Sequence, residues 1–291
     1  MKKHFTLLVL FCLCTLAVWA YESDQFQVGQ LIYSITSNNT VEVTYSGDYF
    51  EKSEYDEELG EEYIYGYGIG NNYPKLTSVT IPSNVSYKGV SYRVTAIGDD
   101  AFYGCKRLTY VSIPSTVKKI GYQSFYGCKS LSSLTLPNQI TEIASFAFYD
   151  CTSLMTIEIP SSIKWIGIDV FVNTPIYNKL PDGPVYIYNI LYEYKGTMPA
   201  NTKFSVQKGT VRINGYAFYD CASLVSISIP TSVKEIEAGA FVGCTSLTKI
   251  YYGGTKAQWH MISKSEEMDS WEPEQTYAVY CTDGVVYGND F

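Results

Sequence analysis

IGDDAFYGCKRLTYVSIPSTVKK (residues 97–119), IGYQSFYGCKSLSSLTLPNQITE (120–142) and IASFAFYDCTSLMTIEIPSSIKW (143–165) are three copies of one 23-residue unit. Phe recurs at 102, 125 and 148, Cys at 105, 128 and 151, and Leu at 108, 131 and 154. Pro recurs at 114, 137 and 160, and Ile at 97, 120 and 143. The unit returns at residues 213–235 and once more from Ile236 with a degenerate end. Fixed apolar positions at a period of about 20–50 residues are the signature of a solenoid. One such coil buries too few side chains to repay the ordering of its own backbone. Stacked coils bury both flat faces, so stability lies in the contacts between neighbours.

Local signals inside the unit agree. Leu131-x-x-Leu134-x-Leu136 alternates at period two and predicts a short strand. Pro137 follows, has no N–H for a ladder and ends that strand. Ile140 and Ile143 belong to a second short extended arm. Ser124-Phe125-Tyr126-Gly127-Cys128 closes the coil with a tight turn or a single helical turn. The expected fold is mainly β, with short turns or helical turns: a leucine-rich solenoid of 23-residue coils.

Ala101-Phe102-Tyr103-Gly104-Cys105, Leu108, Val111, Ile113-Pro114, Val117 and Ile120, with their equivalents in later copies, resemble the BspA-like leucine-rich repeat family of bacterial surface proteins. The resemblance runs from about Leu76 to Trp259, and residues 252–259 (YYGGTKAQW read from Tyr251) are similar to that family's end-cap. It implies a right-handed solenoid of short strands, exported or surface-displayed, often linked to adhesion. It brings no catalytic residues with it.

Outward from the repeats, residues 1–20 read as a secretory leader: Lys2 and Lys3, an apolar run from Phe5 to Val18, and Ala20 at the cut. The run is too short for a membrane span, so no membrane insertion is expected once the leader is removed. Cys12 and Cys14 within it lack the small preceding residue that a lipidated cysteine needs. Without the leader the chain has 19 basic and 29 acidic residues, a net charge of −10. That sign argues against nucleic acid and anionic membrane as partners.

Residues 21–96 read as an N-terminal β cap. Val41–Tyr45 and Tyr92–Ile97 alternate as strands, and Leu76-x-x-Val79-x-Ile81-Pro82 is half a repeat. Within the cap, residues 48–62 carry eight acids and predict a solvated loop, and residues 63–68 an aromatic one. The solenoid proper is expected over residues 97–258, with an insertion at about 178–201. Pro181-Asp182-Gly183-Pro184 marks a turn there, followed by a strand or hairpin that either projects or lies on the coils. Residues 259–291 read as a C-terminal cap, with Tyr277–Cys281 as its strand.

Six cysteines remain outside the leader: 105, 128, 151, 221, 244 and 281. Five share one repeat position, where stacked side chains point the same way. That geometry disfavours bridges and predicts a column of buried thiols. Cys281 has no repeat equivalent.

No cofactor or metal site is expected. His260 is the one histidine outside the leader, and no nucleophile motif accompanies it. Glu142, Glu158 and Glu235 occupy outward repeat positions. Candidate binding residues are therefore aromatic. One set is the row Tyr103, Tyr126, Tyr149 and Tyr219, each following the repeat Phe. The other is Tyr186, Tyr188, Tyr192 and Tyr194 in the insertion. Tyrosine combines large area with a polar handle, as recognition surfaces favour, though stacked rings also brace neighbouring coils. The reading is an exported, non-catalytic adhesion scaffold at the cell surface, outside the cell or in the periplasm. Its partners are extracellular proteins or glycans, host matrix among them. The alternative is an enzyme accessory, or a weak carboxylate-based hydrolase.

Overall fold

The computed structural model describes residues 25–44, 73–264 and 277–287, together with the backbone of two strands, Phe50–Asp56 and Glu61–Tyr67. Residues 1–20, read as a leader, and the polar stretch 265–276, read as part of a C-terminal cap, lie outside the described residues. The chain divides into two compact units: Met1–Trp165 with Asp169–Asn178, and Ile166–Ile168 with Lys179–Phe291.

In the first unit, coils stack at the repeat spacing. Ala96–Ile97, Lys119–Ile120 and Glu142–Ile143 pair in parallel, each 23 residues from the next. Ile97, Ile120 and Ile143 are fully buried along that ladder. On the other arm Ser78–Thr80 pairs with Tyr110–Ser112, and Ser133–Thr135 with Thr156–Glu158, again in parallel. Leu134 points inward between the exposed Ser133 and Thr135, as the period-two pattern predicts.

The turn carrying the Phe is laddered as well. Phe102 N–H donates to Ser124 O and Gly104 N–H to Tyr126 O of the next coil; Phe125 and Gly127 repeat this with Ala147 and Tyr149. The backbone therefore bonds between coils along both arms and through the turn. Two left-handed residues bracket each Phe. The residue two before it is Asp100, Gln123, Phe146 or Asp169, and the residue two after it is Gly104, Gly127, Asp150 or Asn173, all with positive φ. The second position explains the Gly-or-Asp preference in the motif: Gly, Asp and Asn tolerate that conformation best.

The rings Phe102, Phe125, Phe148 and Phe171 form one column, with centroids 5.1, 5.4 and 5.9 Å apart and planes within 17°. Tyr73 continues it, 5.8 Å from Phe102. Its hydroxyl donates to Thr44 O and accepts from Ile32 N–H, tying the first coil to the N-terminal strands. Those strands, Gln25–Val28, Leu31–Ser37 and Thr40–Thr44, form an antiparallel meander whose last member pairs in parallel with Val90–Ile97. The hairpin Asn84–Tyr87/Val90–Ile97 turns at Lys88–Gly89, both with positive φ, as a two-residue hairpin loop requires.

The acidic stretch differs from expectation. Residues read as a loop form an antiparallel hairpin, with Phe50–Asp56 pairing in register with Glu61–Tyr67. The aromatic stretch from Tyr63 is the end of its second strand. High charge pointed to a solvated loop, but charge alone does not prevent a ladder that needs only backbone groups.

In the second unit the insertion is structural. Gly183–Ile187 and Ile190–Lys195 form a hairpin, and Ile190 and Leu191 pair in parallel with Arg212 and Ile213. The second strand is thus the first rung of a ladder that continues through Glu235–Ile236 to Ser263–Lys264. The other arm runs Thr202–Ser205, Leu224–Ile229, Lys249–Tyr252 and Ala278–Cys281, all parallel, and closes with the antiparallel Gly284–Tyr287. Between the last coils, helix Lys256–His260 starts in a capping box, with Thr255 and Gln258 satisfying each other's N–H groups. It buries Trp259 completely against Tyr252.

Candidate recognition surface

The tyrosine row of the first unit is a true stack. Tyr103–Tyr126 and Tyr126–Tyr149 have centroids 4.9 and 5.1 Å apart, with planes within 12°. Tyr126 has a ring on each face and Tyr103 and Tyr149 a ring on one, and all three are half-buried. Val172 follows in the next coil and ends the row. Tyr219, in the second unit, is 55% exposed and packs edge-on against Tyr216.

The insertion tyrosines separate into three kinds. Tyr192 is core: 2% exposed, it has no surface to offer a partner. This corrects its place among the binding candidates. Leu191, opposite Ile213, is the inward residue of this strand, and burial extends to both its neighbours, Ile190 and Tyr192, so alternation alone does not leave Tyr192 outside. Tyr186 is half-buried, and its hydroxyl accepts from Gln207 N–H; burial raises its pKa. Tyr194 packs edge-on against Phe204, 6.2 Å away. Tyr188, at the hairpin turn, is exposed.

The outward rows of the strand faces lie outside the residues named as binding candidates. In the first unit Ser78 aligns with Tyr110 and Thr80 with Ser112; Ser133 aligns with Thr156 and Thr135 with Glu158. Seven of these eight side chains are hydroxyls. Tyr110 is 57% exposed. In the second unit Ser205, Ser228, Tyr251 and Tyr280 align across four strands. Tyr251 and Tyr280 stack 5.3 Å apart and stay exposed, as does Tyr287 on the last strand. The signal was present: each of Tyr110, Tyr251 and Tyr280 stands next to a buried repeat residue, where alternation turns the side chain outward.

The repeat cysteines are inward and form no disulfide. Cys128, Cys151 and Cys244 donate their thiols to Phe102 O, Phe125 O and Phe218 O respectively, at 3.1–3.2 Å. Burial pushes Cys105, Cys151 and Cys244 up to about 12 and Cys221 to about 11. These groups stay protonated at neutral pH and are poor nucleophiles there. Cys281 is free and half-buried.

The carboxylates named in the sequence do not converge. Glu142 and Glu158 are exposed on separate arms of their coils. Glu235 pairs with Arg212, which also holds Glu237. Among the described residues no group of three or more His, Cys, Asp or Glu side chains is placed to hold a metal ion. No described helix is long and apolar enough to cross a membrane.

Parallel coils with a strand on each arm and a turn that buries Phe and Cys define a leucine-rich repeat protein. The chain belongs to the BspA-type leucine-rich repeat family: the family model matches residues 71–182 and 192–263 in six copies. The match starts 26 residues before the first regular unit, so the half-repeat at Leu76 counts as a coil. Among solved structures, a leucine-rich repeat protein from Bacteroides capillosus is 28% identical over 53% of this chain and 94% of its own, with a TM-score of 0.40. The T. pallidum leucine-rich repeat protein is also 28% identical, over 72% of this chain and 86% of its own, with a TM-score of 0.35. A leucine-rich cell surface protein from Faecalibacterium prausnitzii is 19% identical over 82% of this chain and 97% of its own, with a TM-score of 0.27. No curated protein matches the chain.

Proposed function

We propose that this protein is an exported, non-catalytic scaffold that binds an extracellular protein or glycan partner across the outward faces of its strands. The observation that carries the reading is the stacked, exposed pair Tyr251–Tyr280, aligned with Ser205 and Ser228 on one sheet face. Exposed aromatics among hydroxyls offer apolar area with hydrogen-bonding partners beside it, the composition of adaptable recognition surfaces. Family membership supports the scaffold role and display at the cell surface. The tyrosine row 103–126–149 is a secondary contact edge, because its rings are half-buried and most of their faces stack on one another.

The test is surface-captured full-length chain, probed with a panel of matrix proteins and glycans. A specific partner at micromolar affinity is expected. Tyr251→Ser with Tyr280→Ser should weaken it at least tenfold, and Tyr103→Ala with Tyr126→Ala by less. Absence of any specific partner, or a partner indifferent to all four changes, overturns the reading.

A further inference from the structure

Among the described residues, strand Ser78–Thr80 pairs on one side only, with Tyr110–Ser112, in a two-stranded sheet. Thr77 C=O and Ile81 N–H are both spent on that neighbour, through Thr109 N–H and Ser112 O. Successive residues of a strand direct their backbone groups to opposite edges, so Ser78 and Thr80 present theirs on the free edge. That edge borders a cleft of about 330 Å³. The turn Val28-Gly29-Gln30 and Tyr110 line it together with the strand. No charged side chain lines it.

We infer that the free edge of Ser78–Thr80 captures an extended polypeptide segment of the partner by adding it as a strand. The inference deepens the scaffold reading and rests on it. Two N–H and C=O pairs recurring about 6.8 Å apart along a line are matched by the backbone of another strand. Sugar hydroxyls carry no such repeat. The neutral lining suits a backbone with small or apolar alternate side chains: one set faces Val79 and the cleft, the other faces solvent beside Tyr110. Main-chain bonds would supply affinity, and the short cleft would select the side chain between the turn and the edge.

The experiment is residue-resolved amide exchange on the full-length chain with and without capped hexapeptides alternating threonine with Val, Ile, Leu or Tyr. The Ser78 and Thr80 amides should exchange fast in the free protein and at least tenfold more slowly with a binding peptide. Thr80→Pro removes one donor on the free edge and should abolish that binding, while the Val79 and Ser112 amides, which face each other's strand, keep their protection. Peptides N-methylated at alternate residues should fail against the unaltered protein, a control that does not depend on the variant folding. Slow exchange of both amides in the free chain would show the edge already covered and overturn the inference. So would failure of every hexapeptide at millimolar concentration. Neutral oligosaccharides that bind here and are lost in Tyr110→Ala, with peptides inactive, would also overturn it and leave the scaffold reading standing.

Discussion

The thiol of Cys128 donates to the carbonyl of Phe102 in the preceding coil, 3.2 Å away. The same bond recurs from Cys151 to Phe125 and from Cys244 to Phe218. A small apolar side chain thereby also supplies a donor to a turn carbonyl inside the core.

These thiols make stability sensitive to alkali. Burial disfavours the thiolate: it pushes Cys105, Cys151 and Cys244 up to about 12 and Cys221 up to about 11, against an ordinary 9.0, and raises Cys128 as well. An acid with a raised folded pKa holds its proton more tightly when folded. Its contribution is full below pH 9 and is lost as pH rises towards 12. Urea midpoints should therefore fall between pH 8 and pH 10.5. Replacing Cys105, Cys128 and Cys151 by Ser should flatten that fall while lowering the midpoint at pH 8. A thiol reagent should react with none of the five buried cysteines until the protein unfolds.

Asp100 makes a second pH signal at the acid end. Its side chain is buried with Oδ1 unpartnered, and burial, then the neighbouring Asp99, push its pKa up to about 6. The folded state favours the protonated acid, so stability should drop as pH rises from about 4 to about 6. The loss is of order 1–2 kcal/mol, less than the full shift implies because water reaches part of the group. Asp100→Asn keeps a residue that accepts positive φ and removes the charge. It should raise the urea midpoint at pH 7.5 and leave it unchanged at pH 4.

Gly127 tests the turn. With φ at +67°, an added Cβ would meet only Gly104 Cα at 3.9 Å, so space is not the issue. Gly127→Ala should cost about 1 kcal/mol from backbone strain alone. Gly127→Asn should cost less than half as much, because Asn173 adopts the same conformation at this repeat position. Chemical denaturation of the three proteins side by side decides it.

Tyr73→Phe should destabilise the chain by about 1–3 kcal/mol, since it leaves Thr44 O and Ile32 N–H without their shared hydroxyl partner. The loss should appear in amide exchange as faster opening of residues 31–44, with coils from Ile120 onward unaffected. Uniform acceleration across the unit would argue that Tyr73 acts only through its ring contact with Phe102.

Much of the fold was legible because the repeat is a packing instruction written several times. Phe102, Phe125 and Phe148 share a column because residues 23 apart must meet when coils stack. The acidic stretch and the insertion were harder. Backbone ladders at Phe50–Asp56 and at Ile190–Lys195 depend on which strand lies alongside, and no side-chain pattern names a neighbour. The same holds for the recognition surface. Tyr192 and Tyr188 are alike as letters, yet one is core and the other exposed.

The sequence by itself determined the coil: its period, its inward Phe, Cys, Leu and Ile, and the turn that asks for Gly, Asp or Asn after the ring. Only the tertiary structure decided which edges close. It made the insertion hairpin the first rung of the second unit's ladder and, among the described residues, left Ser78–Thr80 paired on one side. The physical reason is range. A side chain's inward or outward turn follows from its position within the strand, whereas a backbone's partner is chosen by segments far along the chain.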